Sequence, residues 1–249
     1  MKRWILMVLA IGYIIAGIQC YNVVRAYPHK TETLVIDLTK ILPDNPYYQE
    51  YERMLYTTVR ISTGLGTGSG VVIDGYIITA AHVVDNESAV TVELFFPEYI
   101  KLDATVLVTD TVKDLALIKL ATNAHESTQI YSAKLAPKDY TPYLFSPVYA
   151  VGCSLGLKVR PSYGIISVID TNFWEVSSPI LPGNSGGPVF NARTYEVIGI
   201  SVWVHICNGQ LVTTMAGIVP IQKIYEFLES VESKESNSKE SINSSNATD

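Results

Sequence analysis

The stretch Gly183-Asn184-Ser185-Gly186-Gly187-Pro188-Val189-Phe190 sets one serine among residues that leave the backbone bare. A hydroxyl is a weak nucleophile, and its attack on a carbonyl needs a base and a trap for the charge that develops on oxygen. With no side chain in the way, the N–H groups of Gly183 and Ser185 can converge on one such oxyanion. The same stretch bears on the fold. It fits G-x-S-x-G, the sharp strand-to-helix turn of the α/β-hydrolases, where an acid and then a histidine follow the serine. Here Pro188, Val189 and Phe190 do not begin a helix. Only His205 lies downstream, with Glu196 the one acid between it and the serine. The alternation of strands and helices which that fold requires is also missing, so it is excluded.

A base must then lie upstream. The chain has four histidines, His29, His82, His125 and His205. His82 ends the run Tyr76-Ile77-Ile78-Thr79-Ala80-Ala81-His82, a short apolar strand followed by small residues that let a substrate approach the ring. His29 follows Pro28 in a linker, and His125 sits in a polar stretch; both read as solvated. His205 lies beyond a strand and near Cys207, and reads as a pocket-rim or surface residue. The orienting acid is sought at the head of an apolar strand, where a charge is costly unless it is hydrogen-bonded. Asp114 opens Asp114-Leu115-Ala116-Leu117-Ile118-Lys119-Leu120 and meets that condition. The chain order becomes His82, Asp114, Ser185.

Four stretches carry a family resemblance: Gly66-Thr67-Gly68-Ser69-Gly70-Val71-Val72-Ile73, Thr79-Ala80-Ala81-His82-Val83-Val84, Asp114 to Leu120, and Gly183 to Pro188. In that order and spacing they resemble the trypsin-like (chymotrypsin-fold) serine proteases, in particular the HtrA/Deg branch, over about residues 55 to 231. The resemblance implies an all-β architecture of two six-stranded antiparallel β-barrels, with His82 and Asp114 in the first and Ser185 in the second. It implies a serine endopeptidase working through an acyl-enzyme, with Gly183 and Ser185 as the oxyanion hole. Deg-type proteases usually carry a PDZ domain after the protease; with only a tail read after the helix, neither that domain nor regulation through it is expected here. A membrane-anchored, inactive binding protein on the same fold is the alternative.

Specificity can be read from the residues before Ser185. Trypsin has an acid six residues before its nucleophile, and that position here is Pro179, followed by Ile180 and Leu181. Cleavage after Lys or Arg is therefore not expected. The resemblance makes Ser201, Val202, Trp203 and Val204 a wall of the S1 pocket, and Val204 at a glycine position of trypsin would narrow it. A small or medium aliphatic P1 residue follows. Asn184 stands where the secreted digestive enzymes hold an Asp that pairs with a freed N-terminus, so no zymogen step of that kind is expected. Loop ordering or assembly into a homo-oligomer would have to supply any activation.

The chain has 249 residues, enough for two small barrels sharing a face. From Val59 onward, short β-rich runs are split by Gly, Asp and Pro signals, which reads as sandwich or barrel. The barrels fall at roughly 55–125 and 135–219. Ile221, Ile224, Phe227, Leu228 and Val231 recur at helical spacing after Pro220, which predicts a C-terminal helix over 220–231 packed on the second barrel. Residues 27–54 read as a spacer. Residues 232–249, rich in Ser, Lys, Glu and Asn, read as a disordered tail.

The net charge of −6 argues against a nucleic-acid partner. Polypeptide substrates and the membrane are the partners expected. Lys2 and Arg3 precede an apolar run from Trp4 to Val24, long enough to span a bilayer. Residues 1–26 are thus a signal anchor, or a signal peptide cleaved after Ala26, and the domain lies outside the cytosol. There a disulfide between Cys153 and Cys207 is permitted. No metal-ligand spacing occurs, and neither metal nor cofactor is expected.

Overall fold

The computed structural model describes residues 48–121 and 130–245, with side chains over 49–121 and 130–233. The chain enters through α1 (Tyr48–Thr57), and twelve strands follow. β1 (Thr58–Ser62), β2 (Thr67–Ile73), β3 (Tyr76–Thr79), β4 (Ala89–Leu94), β5 (Ile100–Asp110) and β6 (Leu115–Leu120) close into one antiparallel barrel in the order β1-β2-β3-β6-β5-β4. A single helical turn, α2 (Ala81–Val84), follows β3. β7 (Pro147–Gly152), β8 (Arg160–Ile169), β9 (Trp174–Val176), β10 (Pro188–Asn191), β11 (Val197–Cys207) and β12 (Gln210–Pro220) close the second barrel in the order β10-β11-β12-β9-β8-β7. This is the expected all-β architecture of two six-stranded antiparallel barrels.

Period-two patterning builds each wall. In β5, Ile100, Leu102, Ala104 and Val106 turn inward, while Lys101, Asp103 and Thr105 face water. The first core gathers Val59, Ile61, Val72, Ile77, Val92 and Ile118. The second is built on Ile166, Val176, Phe190, Ile198, Ile200 and Ile218, each at 1 % exposure or less. Two hairpins close on two-residue turns with both central residues at positive φ. Asp74 (46°) and Gly75 (83°) join β2 to β3, and Asn208 (51°) and Gly209 (77°) join β11 to β12. That backbone twist matches the twist of the flanking strands.

Residues 133–136 of the connection between the barrels are hydrogen-bonded to both. The Ala133 N–H donates to the Val72 carbonyl, and the Ala136 N–H to Val197. After β12, a long helix, α3 (Ile221–Ser245), buries Ile221, Ile224, Phe227 and Val231. Phe227 is fully buried, and truncating it to Ala would cost about 3–5 kcal/mol. Leu228 and Val231 also meet Ile73, Tyr76, Ile78 and Leu117 around a cavity of about 140 Å³. The helix therefore spans both barrels rather than resting on the second alone.

Three further sequence expectations need correction. The spacer assigned to 27–54 ends in α1, where Met54 and Leu55 are buried. The hydroxyls of Thr57 and Thr58 bond the Arg53 and Met54 carbonyls and close that helix. The tail assigned to 232–249 is helical through Ser245, because good helix formers (Glu232, Lys234, Glu235, Lys239, Glu240) continue a helix already nucleated on the barrel. The proposed bridge does not form: Cys153 and Cys207 are free thiols. Cys153 is buried just past β7, and Cys207 is exposed beside the tip of the β11–β12 hairpin. The apolar segment of residues 1–26 lies outside the described residues; among those, no helix is long and apolar enough to cross a membrane.

Candidate active site

Strand register brings His82 to Asp114. β3 and β6 run antiparallel with Thr79 opposite Ala116. Moving forward past Thr79 and backward from Ala116 therefore leads to the same place. His82 sits there on α2. Asp114 occupies the turn before β6 with φ of 54°, a left-handed conformation that Asp tolerates better than most residues. Its carboxylate is bonded twice by one residue. Oδ2 lies 2.7 Å from His82 Nδ1, and Oδ1 accepts the His82 N–H at 3.0 Å. Burial alone would raise the Asp114 pKa. The His82 ring, its backbone N–H and the Ala81 N–H outweigh that and hold the carboxyl below its ordinary value.

Ser185 reaches the same region from the second barrel. It stands in tight turns made by Asn184 N–H to Leu181 carbonyl (3.0 Å) and Gly187 N–H to Asn184 carbonyl (2.9 Å). The Ser185 carbonyl accepts the Ser69 N–H at 2.8 Å, and the Gly186 N–H donates to Ser201 at 2.7 Å. Gly186, at φ of 81°, lies directly on Thr79 and Ala80. A Cβ there would overlap Thr79 Oγ1 and Ser69 O and stand 2.9 Å from Ala80 N. The residue after the serine thus abuts the segment that leads into His82.

Gly183, at φ of 95°, packs on the turn Ser154–Gly156, where a Cβ would stand 3.0 Å from Gly156 N. The Pro182 carbonyl accepts the Leu155 N–H at 2.6 Å. In a trans peptide the N–H points opposite the carbonyl, so the Gly183 N–H is turned away from Leu155. Among the described residues, the N–H groups of Gly183 and Ser185 donate to no acceptor. Two bare donors one residue apart can hold an anion.

Beneath the serine, Asn184 is 3 % exposed, and its Oδ1 accepts the Ser154 hydroxyl at 2.7 Å. A neutral hydrogen bond thus occupies this buried site. Sequence reasoning missed Ser154, whose only signal was its place in Val151-Gly152-Cys153-Ser154-Leu155-Gly156.

Of the expected S1 residues, Ile180 and Ser201 are buried, Val202 is 9 % exposed, Leu181 is half-buried and Pro179 is exposed. Val204 pairs with Ala216. Trp203 pairs with Gly217 and lays its ring over that glycine, where a Cβ would overlap the indole. Phe173 and His205 flank the indole edge-on, with ring centroids at 5.5 and 4.9 Å. His205 Nε2 lies 3.0 Å from Oε1 of Glu175, a mostly buried carboxylate on β9. Sequence reasoning passed over Glu175, because three-residue β9 carries too short a pattern to read.

Comparison with known proteins bears on the fold and the family. Residues 66–200 match the trypsin-like peptidase domain family. The serine protease HhoA of Synechocystis, named as putative, is 36 % identical over 188 residues, covering 69 % of this chain and 45 % of its own length. Serine protease HTRA1A of Danio rerio is 32 % identical, covering 76 % of this chain and 39 % of its own. The periplasmic serine endoprotease DegP of Salmonella typhimurium is 36 % identical over 58 % of this chain and 31 % of its own. The chain thus spans less than half the length of these relatives. A crystal structure of the serine endoprotease from Yersinia pestis superposes with a TM-score of 0.63 at 23 % identity, covering 75 % of this chain and 66 % of that one, and supports the fold. The chain belongs to the trypsin-like peptidase family, in its HtrA/Deg branch.

Proposed function

We propose that this domain is a serine endopeptidase in which His82, Asp114 and Ser185 carry the chemistry. The observation that carries the proposal is the doubly bonded His82–Asp114 pair beside the Ser185 turn. With Nδ1–H donated to Asp114, the neutral imidazole has its lone pair on Nε2 and can serve as a base. Ser185 Oγ attacks the scissile carbonyl carbon while Nε2 takes its proton. The carbonyl electrons move onto oxygen, and the Gly183 and Ser185 N–H groups bind that oxyanion. Collapse breaks the C–N bond, and the imidazolium returns the proton to the leaving amine. Water then repeats the sequence on the acyl-enzyme and frees Ser185. Asp114 holds the tautomer and stabilises the imidazolium.

The P1 residue is small or medium and aliphatic. Pro179 offers no acid for a cationic side chain, and the Trp203 ring covers Gly217, where a deeper pocket would need space. The site of action is outside the cytosol, supported by the Lys2-Arg3 start ahead of the apolar run and by relatives named as periplasmic. The test is a peptide library offered to the full chain and to Ser185→Ala. Cleavage after Ala, Val, Ile or Leu that vanishes in Ser185→Ala is expected. Dominant cleavage after Arg or Phe would overturn the P1 assignment, and cleavage by Ser185→Ala would overturn the nucleophile.

A further inference from the structure

Ser69, in the Gly68-Ser69-Gly70 run of β2, belongs to the first barrel, yet its hydrogen bonds reach into the oxyanion segment of the second. It is fully buried and uses every group it has. Its N–H donates to the Ser185 carbonyl at 2.8 Å. Its hydroxyl donates to the Gly183 carbonyl at 2.7 Å and accepts the Cys153 N–H at 2.8 Å. Its own carbonyl accepts the Thr79 hydroxyl at 2.6 Å, three residues before His82. Space for the hydroxyl is kept by two glycines: a Cβ on Gly152 would stand 3.0 Å from Ser69 Oγ, and one on Gly187 would stand 3.1 Å from Ser69 Cβ.

These bonds fix both peptide planes that flank Gly183. The plane after it is held directly, through the Gly183 carbonyl. The plane before it carries the Gly183 N–H and is held by Leu155 N–H on the Pro182 carbonyl. Leu155 is in turn carried by the turn that Ser69 tethers at Cys153. That turn needs holding, because Leu155 itself sits at φ of 58°, a region that costs a non-glycine residue about 1 kcal/mol or more. Arg60 of β1 adds a second hold on it, Nη1 donating to the Gly156 carbonyl at 2.5 Å. Gly183 has no Cβ and rotates more freely than any other residue type would. A rotation of the peptide before it would turn its N–H out of the anion site.

We infer that Ser69 is a positioning residue: its hydroxyl locks the Gly183 N–H toward the oxyanion that Ser185 creates. The inference rests on the peptidase reading above and adds to it a side chain that never touches substrate. Only a hydroxyl both donates and accepts within this space, which accounts for a serine between two glycines in Gly68-Ser69-Gly70.

The test compares the full chain with Ser69→Ala and with Ser69→Cys, which keeps the shape of the side chain in a slightly larger form but bonds weakly. Four quantities are measured on folded protein: kcat and KM on a cleaved peptide, affinity for a peptide boronate whose tetrahedral oxygen occupies the anion site, and binding of the uncleaved peptide in a Ser185→Ala background. The expected result is kcat lower by roughly 10- to 100-fold in both variants, below the loss from deleting a donor outright. Boronate affinity should fall in parallel, with KM and peptide binding within about twofold. A purely structural role would lower peptide and boronate binding together, or leave kcat per folded molecule unchanged, and either result overturns the inference. An inert wild type that binds no boronate would instead overturn the peptidase reading itself.

Discussion

His82 bonds Asp114 through Nδ1 at 2.7 Å, and His205 bonds Glu175 through Nε2 at 3.0 Å. Both are histidine–carboxylate pairs on barrel strands or the turns that end them, and both carboxylates are partly shielded from water. They differ in which ring nitrogen is spent. A histidine anchored through Nδ1 presents Nε2, the nitrogen far from its own backbone, to whatever lies across the cleft. One anchored through Nε2 has only Nδ1 left, close to its own main chain. They differ also in surroundings: Gly186 abuts Thr79 and Ala80 beside the first pair, and the second leans on the Trp203 indole. A histidine beside an acid is therefore weak evidence for chemistry. The meaning lies in which nitrogen is bonded and in the backbone that the free nitrogen faces.

The sharpest way to break this comparison is to treat the two pairs alike. Asp114→Asn should lower kcat about 10⁴-fold, since an amide partner no longer enforces the tautomer with Nε2 free. His205→Gln should change kcat/KM by no more than about threefold, read in the same peptide assay. Equal losses would erase the distinction. A second test exploits Trp203, which leans on His205 from the proposed pocket wall. Trp203→Gly should raise the preference for a large aromatic P1 over Val by roughly tenfold or more in a peptide library. An unchanged profile would remove Trp203 from specificity.

The thiols extend the contrast between the two regions. Burial pushes the Cys153 thiol up to about 11, against a smaller opposing effect of its bond with Ser69, whereas Cys207 is exposed two residues beyond His205. Maleimide mapped by mass spectrometry on folded protein should modify Cys207 and spare Cys153. Labelling of Cys153 at a comparable rate would show that the oxyanion turn opens. The smallest effect concerns pH. Asp114 has a lowered folded pKa, so its ionised form contributes stability that is fully present above the unfolded value near 4 and is lost as pH falls through the lower folded value. The pair is half-exposed, and the contribution is under ~1 kcal/mol. The melting-temperature gap between wild type and Asp114→Asn should accordingly close as pH falls below the ordinary carboxylate range; a gap that widens on acidification would contradict the direction.

Some of these regions are plain in the sequence and others are hidden, for identifiable reasons. Alternating strands such as β5 and the Asp74-Gly75 turn are local signals, and they are where the chain puts them. The run from Ile221 to Val231 kept a helical period long enough to read. α1 was hidden because its apolar face is written largely in tyrosines: Tyr51 meets Tyr149 and Tyr195 edge-on, and Tyr56 meets Tyr131. In the site, His82, Asp114 and Ser185 stood out as reactive side chains in telling company. Ser69, Ser154 and Glu175 did not, since each is an ordinary residue whose role arises from a partner at a distance: Gly183, Asn184 and His205. Such partnerships depend on barrel closure and on the contact between barrels, which local pattern does not encode.

The most direct test of the central claim is to follow fluorophosphonate labelling of full-length protein, locating the modified residue by mass spectrometry in wild type, Ser185→Ala and Asp114→Asn. The account predicts modification of Ser185 in the wild type, none at any serine in Ser185→Ala, and labelling slower by several orders of magnitude in Asp114→Asn. Equal labelling of wild type and Asp114→Asn, or no labelling of folded wild type, would contradict an activated Ser185.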